Sequence, residues 1–411
     1  MQNHSTPARQ QNYLRWPFLT AFSLACFVFW WLSALLYRVL LDSEQGLDAD
    51  VMIFSFLGLA LFVLGYSLPW RERLWRPTRE RTLDRVERLS YKATIVLALP
   101  ALLAATAFTI SRWGMEYQEG SGIPLYYQAI LYVHLFVGLL YIGTAQDDRG
   151  DRRKIAVAAV LTILPRVIVS LHWGRFFAAQ AILPVVFIAL ARGWMAVSVK
   201  RMVQFALLAV FIIFIPSLTR GDKVIGEDDS GRPLILTFFE AGNTLLFFQD
   251  NRDMSVTCPP LLVSATSKVI PYHLLHLCTV DVGDDKALPA TLDNLLTHAY
   301  TDDLRTGTGG NYLLELYCLG GAKAIVIGTL LFGFTCRRFV SWIGHRSLYA
   351  GIWAECLSRA LLAPRGNLGY MVERIPSLVL ATGAFVALAW SIDVLARRRP
   401  SSQLPHVAPA N

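Results

Sequence analysis

Apolar runs of about 20 residues alternate along this chain with short charged stretches, the pattern of helices that cross a bilayer. The runs cover residues 17–37, 51–70, 93–111, 126–146, 155–171, 176–191 and 202–219. After a long polar interval three more follow, at 316–336, 347–363 and 375–395. The first run holds 21 residues without a charge and has no small-residue cleavage site behind it, so it reads as a retained span rather than a signal peptide. The expected fold class is all-α: a polytopic integral membrane helical bundle of about ten transmembrane helices with one long extramembrane loop.

Composition supports this reading and narrows the function classes. Of 411 residues, 54% are apolar and only 17% charged, where a soluble chain carries roughly 25% charge. A cytosolic enzyme, a nucleic-acid-binding module and a disordered chain are excluded. The net charge of +8 is explained by sidedness. With the N-terminus cytoplasmic, the inner segments hold 23 of the 38 basic residues, and the outer segments hold 11, seven of them in residues 217–311. The first outer loop, 41–50, has three Asp, one Glu and no Lys or Arg.

The chain therefore divides into a cytoplasmic N-terminus (1–16), spans one to seven (17–219), a long outer loop (220–311), spans eight to ten (312–395) and a cytoplasmic tail (396–411). Its basic inner face meets anionic lipid headgroups of the bilayer, and no nucleic-acid partner is expected. The long loop is net negative, and its apolar stretches 234–248 and 259–278 are expected to lie on the membrane or pack on the bundle. Six Cys show neither a CxxC pair nor Cys/His ligand spacing, so metal binding through thiolates is not expected, and no other metal site or cofactor is read from the chain. Cys258 and Cys278 either pair or remain free thiols.

Ionisable groups within or beside apolar spans are costly and tend to mark function. Arg166 follows Pro165 in the fifth span. Arg175 ends the outer turn His172-Trp173-Gly174-Arg175, which is too short to shed its charge. Glu355 and Arg359 stand in the i, i+4 order of a helix ion pair. Arg38 and Asp393 read as snorkelling span-end residues, and Lys323 as an interfacial anchor. Arg220, Arg305, Arg365 and Arg374 collect on the same outer face. A guanidinium offers a planar donor fork matched to phosphate oxygens, so several at the membrane boundary are suited to a lipid diphosphate; singly, each reads as a solvated loop charge.

One stretch has family character. Gly307, Gly309 and Gly310 make a glycine-rich turn leading into a helix, Leu314-Glu315-Leu316-Tyr317 follows, and Leu319-Gly320-Gly321 breaks the chain before the span proper. This order resembles the O-antigen polymerase (Wzy-type) family of bacterial polysaccharide polymerases, with Leu314 in place of the usual small residue and Leu319 in place of the usual aromatic. The turn ending in Gly174-Arg175 is similar to that family's Gly-x-Arg segment.

The resemblance implies a glycosyltransferase at the periplasmic face of the bacterial inner membrane, with both termini cytoplasmic. It would move a growing glycan from undecaprenyl diphosphate onto the next lipid-linked repeat unit. It implies an undecaprenyl-diphosphate-linked oligosaccharide as substrate and a chain-length regulator protein as partner. Fixed cations would stabilise charge on the departing diphosphate, a role carried here by Arg175 with Arg220 or Arg305, and by Arg166 deeper. The acceptor hydroxyl needs a base, with Glu315, Asp302, Asp303 and His172 as candidates. Asn311 and Tyr312 would orient a sugar, and Arg365 and Arg374 would add to substrate binding. The alternatives are an O-antigen ligase acting on lipid A core, and a flippase or transporter of lipid-linked oligosaccharide. A transporter would predict internal repeats and paired broken helices. A non-catalytic scaffold and an acyltransferase built on His134 are weaker readings.

Overall fold

The computed structural model describes residues 14–35, 47–69, 80–111, 124–146, 151–171, 175–195, 244–252, 263, 279–281, 287–289, 311–366 and 368–398. Helix α1 begins as Arg15–Cys26 and widens into a π-helical stretch, Phe27–Leu32. It is followed by α2 (Ala49–Ser67), α3 (Glu80–Ser111), α4 (Leu125–Thr144), α5 (Asp151–Ser170) and α6 (Arg175–Ala191). A short helix α7 (Thr244–Asn251) and one antiparallel pair, β1 (Thr279–Asp281) with β2 (Ala287–Pro289), come next. The chain closes with α8 (Tyr312–Ile343), α9 (Ala350–Ala360), α10 (Gly369–Val372) and α11 (Ile375–Arg398). Six helices among the described residues are long and apolar enough to cross a membrane: α1, α2, α3, α4, α8 and α11. The protein is a helical, multi-pass membrane protein. The seventh expected span, 202–219, lies outside the described residues.

The two ends of the bundle are built differently. At one end, here called the basic end, Arg192 after α6 donates to the carbonyls of Ile142 (3.2 Å), Gly143 (2.6 Å), Ala145 (3.1 Å) and His345 (3.2 Å). Arg346 after α8 donates to the Thr144 carbonyl at 2.5 Å and forms ion pairs with Asp84 (2.7 Å) and Glu87 (2.5 Å) of α3. The last carbonyls of a helix have no intrahelical partner, and two cations supply partners for those of α4. The basic end thus gathers the start of α3 and the ends of α4, α6 and α8. At the opposite end α7 docks on α2: Gln249 accepts from the Asp48 amide (2.8 Å), and Arg252 pairs with Asp48 at 3.2 Å. Residues 244–251, which overlap the expected apolar stretch 234–248, do pack on the bundle.

The structure revises two of the expected spans. The eighth was expected over 316–336 as a plain crossing preceded by a break. Gly320 and Gly321 do break α8, and Gly321 takes φ +62°, a conformation that favours glycine. The consequence is a reversal. Tyr312 of the first leg packs at a tilt against Phe332 of the second (centroids 5.3 Å), and Leu316 fills the space a side chain at Gly328 would occupy. The leg 312–319 therefore folds back along the crossing leg 322–343. Its start lies level with Gly58, nine residues or about 13 Å into α2.

The ninth span, expected over 347–363, is not a single crossing helix. Helix α9 has 11 residues, about 16 Å of rise against a hydrocarbon core of about 30 Å. It starts at the basic end, where the Ser347 amide donates to the Gly143 carbonyl (3.1 Å). It stops short, and the turns of 361–366 and 368–374 continue inside the bundle before α11 returns. Phe385, Val386 and Ala389 of α11 pack near Leu83 and Val86 of α3, back toward the basic end.

Two features hold this arrangement in register. Helices α2 and α8 meet backbone to backbone: a Cβ on Gly65 would sit 2.1 Å from the Leu330 carbonyl oxygen, and one on Gly333 would sit 2.2 Å from that of Phe62. Small residues permit this close approach, which is how helices associate tightly in lipid. Around the contact Phe22, Trp30, Phe62, Tyr312 and Phe332 form one buried aromatic cluster.

Candidate functional site

Non-helical backbone at membrane depth must find partners inside the protein. The turn between α9 and α11 finds three. The Trp30 indole donates to the Pro364 carbonyl (2.9 Å), and the Tyr312 amide donates to the Ala363 carbonyl (3.4 Å). Glu315 Oε2 accepts from the amides of Leu368 (2.5 Å) and Gly369 (3.3 Å). Glu315 is fully buried, and its Oε1 has no hydrogen-bond partner. Its role is therefore to tie the folded-back leg of α8 to the turn that leads into Glu373 and Arg374. Asn311, also buried, caps α8 by accepting from the Leu313 amide (2.9 Å).

Beyond that turn lies a buried ionic cluster drawn from four parts of the bundle. Arg359 of α9 pairs with Glu355 on its own helix (3.1 Å) and with Glu373 (3.0 Å). Arg374 approaches Glu373 at 3.6 Å, donates to the Tyr132 hydroxyl of α4, and lies 3.8 Å over the Tyr132 ring. Arg166 of α5 covers the Tyr132 ring at 4.2 Å and reaches the Phe177 ring of α6 at 5.3 Å. Three guanidinium groups thus act on one phenol. Tyr132 lies seven residues, about 10 Å, from the start of α4, and Arg166 four residues, about 6 Å, from the end of α5. The cluster sits in the half of the bundle away from the basic end.

Its charge does not cancel: three arginines face two glutamates. The surplus falls on Arg166, which is 1% exposed and has no hydrogen-bond partner on any of its three nitrogens. Glu355 acts on it only through space. Burying an unpaired guanidinium costs several kcal/mol, and stacking on aromatic rings returns about 2 kcal/mol. Pro165 precedes it and, lacking an N–H, removes one helix hydrogen bond in the same turn. Two buried polar groups on the neighbouring helices, His134 of α4 and Gln180 of α6, also keep an unpartnered atom, Nε2 and Oε1.

Of the residues expected at the site, the structure brings Arg166 and Arg374 together at Tyr132 and makes Glu315 an anchor of the turn that precedes Arg374. Tyr312 belongs to the aromatic cluster, and Arg365 lies over Phe29 of α1 (5.7 Å). Arg175 begins α6, with its side chain outside the described residues. His172, Arg220, Asp302, Asp303 and Arg305 are outside them too, as are Cys258 and Cys278. The expected Glu355–Arg359 helix pair is present, but as half of a larger network. Sequence reasoning passed over Tyr132 and Glu373. A tyrosine within an apolar run reads as core, and Glu373 reads as a loop charge next to Arg374. No protein-family model, curated protein or solved structure matches this chain.

Proposed function

We propose that this protein is a membrane glycosyltransferase that polymerises a surface polysaccharide from polyprenyl-diphosphate-linked repeat units. The observation that carries the reading is the surplus guanidinium of Arg166 beside Arg374 and Tyr132, buried about 6–10 Å inside the helix ends. A lipid diphosphate presents its phosphates at that depth while its chain stays in the bilayer. The acceptor hydroxyl attacks the anomeric carbon and gives up its proton to a base. The bond from that carbon to the diphosphate oxygen breaks, and the electron pair leaves with the diphosphate. Fixed guanidiniums there stabilise charge that grows in the transition state. Glu315 Oε2 is held by backbone amides and its carboxylate is fully buried, so Asp302, Asp303 and His172 are the preferred candidates for the base.

A second reading, a flippase for the same lipid-linked saccharide, is favoured by the reversed leg 312–319 and the half-length α9, because transporters place broken helices around their substrate. Gel analysis of surface polysaccharide from a deletion strain, complemented with wild type or Arg166→Met, separates the two. A polymerase predicts loss of the ladder to single repeat units and its return with wild type alone. Lipid-linked repeats trapped on the cytoplasmic face would mark a flippase. Long lipid-linked polymer that never reaches lipid A would mark a ligase.

A further inference from the structure

We infer that Glu373 is an internal anion that holds the Arg166, Arg374 and Tyr132 subsite in check, and that one phosphate group of an entering diphosphate displaces it. The inference rests on the reading above for the identity of the substrate, but its geometry stands independently. Arg166 is buried, none of its three nitrogens has a well-aligned hydrogen-bond partner, and the Tyr132 phenol is the polar group beside it, so the fork stands ready for an acceptor. Arg374 lies over the same phenol at 3.8 Å and donates to its hydroxyl, so both guanidinium groups are held by one ring. Glu373 bridges Arg359 at 3.0 Å and Arg374 at 3.6 Å.

Of the five charged side chains, Arg374 and Glu373 are the most exposed, at 22% and 17%, against 1% for Arg359 and 5% for Glu355. An anion therefore enters past Glu373 and Arg374. Once it has entered, Arg359 still has Glu355, so displacement of Glu373 strands no buried cation. Bridging two cations without a phosphate, Glu373 lowers the affinity for any incoming anion and sets a threshold that weakly charged solutes do not pass.

The test uses the full chain in nanodiscs, titrated calorimetrically with farnesyl diphosphate and, separately, with inorganic pyrophosphate. Wild type is expected to bind. Glu373→Gln, which removes the competing charge, is expected to bind about tenfold tighter, and Arg166→Met about 100-fold weaker. Lys154→Gln, an exposed change at the basic end, should bind as wild type does. Should Arg166→Met fail to fold, Glu373→Gln carries the test alone. Equal binding of the two probes would assign the subsite to free diphosphate, and preference for farnesyl diphosphate to the lipid-linked form; either supports it. Affinity unchanged or weakened in Glu373→Gln, or wild-type affinity in folded Arg166→Met, overturns it. Transfer of lipid-linked repeats is assayed in the same nanodiscs. Binding with the expected variant pattern but no transfer removes the polymerase reading and leaves the subsite. Transfer indifferent to both variants does the reverse.

Discussion

The two arginine centres of this molecule make opposite use of the same side chain. At the basic end Arg192 and Arg346 meet helix-terminal carbonyls and, for Arg346, two carboxylates. These contacts close the ends of α4, α6 and α8 against the start of α3. In the opposite half Arg166, Arg359 and Arg374 share two carboxylates, and Arg166 is left stacked on rings with no hydrogen bond. The number of partners, and not the presence of arginine, separates the two centres. A clasp lowers the energy of the fold by itself, whereas a surplus buried cation raises it.

The sharpest way to break this contrast is to neutralise one arginine in each centre. Arg166→Met should cut polymer formation by about 100-fold or more, since a fixed donor at a developing charge contributes that much. Its melting midpoint should hold or rise, because an uncompensated buried charge is gone. Arg346→Met should do the opposite. It should lose about 2–3 kcal/mol of stability as Asp84, Glu87 and the Thr144 carbonyl lose their partner, while activity per folded molecule persists. Equal stability losses in both variants would erase the distinction.

Smaller effects sharpen it. Glu315→Leu strands the Leu368 and Gly369 amides and should cost about 2 kcal/mol, whereas Glu315→Gln retains an accepting oxygen and should cost about 1 kcal/mol. Both are read from denaturation midpoints. If Glu315 only anchors the turn, activity in Glu315→Gln should follow the folded fraction; activity falling well below that fraction would return Glu315 to the list of candidate bases. Trp30→Phe, which deletes the donor to the Pro364 carbonyl, should lower stability by about 1 kcal/mol and leave diphosphate binding unchanged.

Much of this molecule was legible in the order of its residues, for reasons tied to the solvent. A bilayer demands about 20 apolar residues per crossing, so α1 to α4 and α11 fall where the runs of hydropathy put them. Arg166 was visible because a charge in an apolar run is conspicuous. The ninth span misled because α9 and the turn after it are apolar enough to cross together. Hydropathy cannot tell one long helix from a short helix followed by a buried turn whose backbone is satisfied by Glu315, Trp30 and Tyr312.

The sequence by itself determined that the chain is a helical bundle in a membrane, where α1 to α4 and α11 lie, and that Arg166 stands inside an apolar run. Tertiary structure alone decided that Gly320–Gly321 reverses the chain instead of interrupting it, because a reversal needs a facing surface, and Gly328 provides the space into which Leu316 fits. It alone decided which arginines are paired. Charge balance in a buried cluster depends on which side chains meet, and Tyr132, Arg166, Glu355, Arg359, Glu373 and Arg374 come from segments that only packing brings together.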